Sequence, residues 1–80
     1  MKITLESTSK IVMLKPDKLS DGVPARIWEG QTESGIKVHC FITRIAVNKN
    51  EPRIHEFVNE LEEQNPPSAE IESIPSRLVL

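Results

Sequence analysis

Cysteine is almost missing from this chain: Cys40 stands alone among 80 residues. That excludes an intramolecular disulfide and a cysteine-built zinc site. Aromatic residues are scarce too, with one Trp, two Phe and no Tyr. The two histidines, His39 and His55, are scattered and make no metal-ligand set. No basic run occurs, so there is no electrostatic footprint for duplex nucleic acid. No apolar stretch approaches the roughly 20 residues of a membrane helix. No apolar h-region follows Lys2, so no signal peptide is expected, and the expected location is cytoplasmic. Phosphate-loop, nucleophile-elbow and zinc-binding patterns are missing as well. No cofactor and no catalytic activity are expected.

What remains is ordinary globular composition: 38% hydrophobic and 28% charged residues, with a formal net charge of −2. At 80 residues the chain is expected to form one domain. Such a chain buries only about 60% of its unfolded surface. Isoleucine is abundant, and β-branched residues favour strands.

Alternation of Ile3 and Leu5 with Lys2, Thr4 and Glu6 predicts a half-buried strand over Lys2 to Glu6. Ser7-Thr8-Ser9 reads as a turn, and Lys10 to Lys15 as a second strand around Ile11-Val12-Met13-Leu14. Pro16 to Gly22 is a loop ending in Asp-Gly. Val23 to Gly30 and Ile36 to Val47 are the third and fourth strands, and Arg77 to Leu80 is a short closing strand. Between them, Asn50, Glu51 and Pro52 suit the start of a helix. Ile54, Phe57, Val58 and Leu61 give that helix one apolar stripe, and Asn65-Pro66-Pro67 stops it. Ser68 to Ser73 fits one more helical turn capped by Ser68. The expected fold is α+β: an antiparallel meander of four to five strands with one amphipathic helix packed on one face.

The central hairpin predicts the two faces of the sheet. A four-residue loop, Thr32-Glu33-Ser34-Gly35, with Gly35 in the left-handed conformation, makes Gln31 pair with Ile36. Ile27 then lies opposite Cys40, Ala25 opposite Ile42, and Trp28 opposite His39. One face carries Val23, Ala25, Ile27, Val38, Cys40 and Ile42 and should meet the helix. Ile27, Val38, Ile42, Phe57 and Leu61 are the expected core. The other face carries Arg26, Trp28, Lys37, His39, Phe41 and Thr43. Ile45 and Val47 continue the phase of Phe41, so either a bulge near Thr43 or Arg44 turns the strand, or both faces are covered there. Covering both needs a partner, most simply a second copy of the chain.

The face with Arg26, Trp28, Lys37, His39, Phe41 and Thr43 is the candidate binding surface. Aromatic faces stack on bases, and Arg and Lys hold phosphates. Such a surface suits a nucleotide or an anionic patch on a protein. The plainer reading is a homodimer interface or a satellite core, because Trp and Phe are more often buried than functional. Arg44 reaches toward a carboxylate at the sheet end, with a structural ion pair as its plainer reading. Cys40 reads as a small buried hydrophobe. Glu60, Glu62 and Glu63 read as a solvated helix face, and His55 as exposed.

The stretches Val23-Pro24-Ala25-Arg26-Ile27-Trp28-Glu29-Gly30, Thr32-Glu33-Ser34-Gly35 and Phe41-Ile42-Thr43-Arg44-Ile45-Ala46-Val47, with the ending Ile74-Pro75-Ser76-Arg77-Leu78-Val79-Leu80, carry a likeness. Together they resemble short proteins encoded by phages and prophages. The likeness covers about two thirds of the chain, and the long loop at Pro16 to Gly22 departs from the tight turn of that pattern. It carries over no site residue. It implies a context in which small accessory proteins act by binding, either blocking a host defence protein or sequestering a signalling nucleotide. The rival class is a virion assembly protein that uses its sheet only to oligomerise.

Overall fold

The computed structural model describes residues 1–16 and 21–79, arranged as an α+β fold. Three antiparallel strands form one open sheet: β1 (Ile3–Lys15), β2 (Val23–Thr32) and β3 (Lys37–Ile42). Helix α1 (Ile54–Glu62), the single turn α2 (Ala69–Glu72) and the short β4 (Arg77–Val79) follow. The strand order is β3-β2-β1-β4, and β4 runs parallel to β1, where an antiparallel closing strand was expected. Part of the expected Pro16–Gly22 loop, and Leu80, lie outside the described residues.

The two strands expected at the N-terminus are one strand of 13 residues. Ser7-Thr8-Ser9 does not turn the chain. It forms an irregularity at which the pairing with β2 shifts, from Ser7 opposite Trp28 to Ile11 opposite Arg26. Thr8 holds this bulge. Its buried hydroxyl donates to the Ile27 carbonyl at 2.7 Å and accepts from the Lys10 N–H at 3.2 Å. Polar Ser and Thr residues thus serve here inside a strand, because their hydroxyls occupy the backbone groups that a bulge leaves unpaired.

The hairpin corrects the expected register. Gly35 is left-handed, at φ 91°, and its N–H bonds the Thr32 carbonyl at 3.0 Å. The Thr32 N–H in turn bonds the Ile36 carbonyl at 3.0 Å, so the loop holds three residues and closes on Thr32 and Ile36. One residue fewer in the loop moves β3 by one position. Trp28 now lies opposite Cys40, Ile27 opposite Phe41, Arg26 opposite Ile42 and Glu29 opposite His39. A one-residue slip exchanges the faces of a strand. One face therefore carries Ala25, Ile27, Phe41, His39 and Lys37; the other carries Arg26, Trp28, Val38, Cys40 and Ile42.

The core is small: Val12, Ala25, Ile27 and Ile71 are buried, with Leu14, Phe41 and Ile74 against them. Its lid is α2, not α1. Ser68 caps α2 by accepting from the Ile71 N–H, and Ile71 is only 2% exposed. The expected core is corrected at four positions. Val38, Ile42 and Phe57 are half-buried, and Leu61 is 40% exposed. Helix α1 buries no residue, although its apolar stripe is the one expected from sequence. It also begins later than expected. Asn50 does not cap it; Arg53 occupies the cap position without a side-chain bond. Strand β3 ends at Ile42 rather than Val47, so neither a bulge nor a partner is required to account for the phase of Ile45 and Val47.

Candidate functional site

The corrected register divides the candidate residues between two faces. Arg26, Trp28, Thr43 and Arg44 line one open cleft of about 270 Å³, together with Ile11, Ile42, Ile45 and Leu61. Lys37 and His39 line a separate depression on the opposite face, next to α2. Phe41 packs against the core there, and its ring meets that of His39 edge-on at 5.5 Å and 88°. The expected single face of two aromatics and three cationic or titratable groups does not exist, because Lys37 and His39 point away from Trp28.

In the Trp28 cleft, β2 supplies Arg26 and Trp28 at alternate positions, so both project from the same face. Arg26 is half-buried, and its Nη1 donates to the Thr8 carbonyl of the bulge at 2.9 Å. The β1 irregularity thus has a second effect, because the carbonyl it frees orients the guanidinium at the cleft wall. Arg44 is exposed and belongs to no salt bridge among the described residues, where the expectation was a carboxylate partner. Cys40 is half-buried beside Trp28, not a core hydrophobe. Leu61 brings α1 to the rim, and Glu60, Glu62 and Glu63 lie beside Trp28. The cleft therefore combines apolar side chains with two arginines, and Trp28 also borders a second depression lined by the carboxylates.

The Lys37 and His39 depression is wider, about 700 Å³, and its lining includes Glu6, Glu29 and Glu70. Glu29 is engaged structurally: its carboxylate accepts from the Ser68 N–H at 2.9 Å, at the start of α2. Carboxylates facing Lys37 and His39 disfavour a phosphate there.

Asn65 gave no functional signal in the sequence, yet it fastens the helical segment to the sheet. Its N–H bonds the Ser7 carbonyl, its carbonyl accepts from the Ser9 N–H, and its side chain donates to Glu6. Ser7 Oγ adds a bond to the Glu63 carbonyl. These bonds hold the end of α1 over the Trp28 face, while the helix itself buries no residue. Among the described residues no cluster of His, Cys, Asp or Glu fits a metal ion, and no helix is long and apolar enough to cross a membrane. No known family, curated protein or solved structure matches the chain.

Proposed function

We propose that this chain is a non-enzymatic binding module that docks a partner protein through the Trp28 face. The observation that carries this reading is surface left uncovered. The chain exposes 6371 Å², whereas a compact monomer of its mass exposes about 4,900 Å². The excess, on the order of 1,500 Å², is a total over the whole chain, and what assigns part of it to the Trp28 face is the apolar surface around the cleft. Ile45, Leu61 and Ile11 are all exposed around the cleft, and exposed apolar clusters of this kind mark interaction sites. The partner that fits sets apolar side chains over Trp28 and carboxylates against Arg26 and Arg44.

The nucleotide reading loses its main support, because Lys37 and His39 do not share a face with Trp28. The resemblance to phage accessory proteins suits a protein-binding role, such as blocking a host defence protein in the host cytoplasm. The virion-assembly reading uses the same surface for oligomerisation.

The test places a photo-crosslinking residue at position 61, with position 4 on the opposite face as control. Expressed in the natural host, the Leu61 probe should yield one adduct of defined mass that Trp28→Ala abolishes. No adduct beyond the position 4 control, or one indifferent to Trp28→Ala, overturns the docking reading. A nucleotide retained in native mass spectrometry restores the signal-sequestering role.

A further inference from the structure

The two edges of the sheet are treated differently. Along β1, Met13–Lys15 is covered by β4, and the Ser7–Ser9 stretch by Asn65. Along β3, no described residue covers the outer edge. Hydrogen bonding alternates along an antiparallel strand. Because Ile36 bonds Thr32 across the hairpin, Val38, Cys40 and Ile42 also turn their backbone groups toward β2. Lys37, His39 and Phe41 therefore aim theirs outward. This edge has no proline, no bulge and no covering segment among the described residues, three of the devices by which edge strands are protected; Lys37 is its one charged residue.

We propose that β3 pairs antiparallel with β3 of a second copy, about a twofold axis at His39, joining two sheets into one. That register satisfies every outward group at once. Lys37 pairs with Phe41 of the partner subunit and His39 with the partner's His39, and about six backbone bonds result. It also explains Ile36, which is 63% exposed and the most exposed of the large hydrophobics apart from Met1. By alternation Ile36, Val38, Cys40 and Ile42 form one apolar row on the Trp28 face. In the His39-centred register Ile36 meets the partner's Ile42, and Val38 meets the partner's Cys40. The row is complementary to itself, as a twofold interface requires, and the occupant is therefore a second copy of this chain. The assignment does not depend on the docking role, since it uses the edge of the sheet; the two surfaces meet only at Ile42, which borders the Trp28 cleft.

Two measurements test it together. In sedimentation equilibrium the chain should have about twice its 9.0 kDa mass. His39→Pro removes one outward N–H and no bond to β2, and should raise the dissociation constant at least tenfold. Ile36→Lys, which lies outside β3, should do the same with the circular dichroism spectrum unchanged. The register is read by disulfide trapping. In the proposed pairing Cys40 does not face its own copy, so mild oxidation should leave the parent uncrosslinked. Val38→Cys places a thiol opposite the partner's Cys40, in a non-hydrogen-bonded pair with Cα atoms about 4.5 Å apart, and should crosslink nearly completely. A monomeric parent, a dimer that survives both His39→Pro and Ile36→Lys, or a dimer whose Val38→Cys variant does not crosslink overturns the proposal. Crosslinking of the parent through Cys40 overturns the register. A dimer dissolved by Trp28→Ala but not by Ile36→Lys places the interface on the cleft instead.

Discussion

Truncating Ile71 should damage this protein far more than truncating Leu61, although Leu61 belongs to the longer and more conspicuous apolar helix. Ile71→Ala removes three carbons from a side chain 2% exposed and packed on Val12, Ala25 and Ile27. At about 0.8 kcal/mol per methylene the transfer loss is about 2.4 kcal/mol. The cavity left under α2 brings the total to about 3 kcal/mol. A domain of this length has about 4–12 kcal/mol in all. The melting temperature should therefore fall by at least about 12 °C. Leu61→Ala also removes three carbons, but Leu61 is 40% exposed and borders an open cleft. No sealed cavity forms, and the cost should be about 1 kcal/mol. Thermal and urea melts followed by far-ultraviolet circular dichroism, at one protein concentration for all variants, give both numbers. A Leu61→Ala loss equal to or larger than that of Ile71→Ala would refute the view that α2 closes the core.

Gly30→Ala should cost at least about 3 kcal/mol in the same melts, because a Cβ there would run into the Thr4 carbonyl oxygen of β1; a neutral outcome would show that β1 and β2 are not so close. Thr8→Val should cost about 1–3 kcal/mol, since it strips the Ile27 carbonyl and the Lys10 N–H of a buried hydroxyl. Hydrogen exchange should then quicken at the bulge, and unchanged protection there would count against the clasp. Gly35→Val meets nothing within 4 Å, so its cost of more than about 1 kcal/mol comes from backbone strain alone. Glu56→Gln removes the exposed ion pair with Arg53 and should change urea stability by less than about 1 kcal/mol.

Much of the fold was legible from local pattern. The α+β class, the strands through Val23 and Lys37, the left-handed Gly35, the apolar stripe of α1 and the Ser68 cap all follow from residue types at short range. The candidate site was legible only in part, because its composition was right and its grouping was not. Arg26 and Trp28 share a face in any register, being two apart on one strand. Lys37, His39 and Phe41 were assigned to the same face through a loop length. Thr32 can either lie in the loop or close it, and the Thr32 and Ile36 backbone bond decides.

By itself the sequence determined what short-range sterics and alternation control: the α+β class, where φ turns positive, and which residues of one strand look the same way. Only the tertiary structure decided which strand faces match, which helix seals the core and which edge no described residue covers. Those outcomes depend on contacts between residues far apart in the chain. Ile71 of α2 packs against Val12 and Ile27 where no residue of α1 is buried, and no periodicity within either helix encodes that choice.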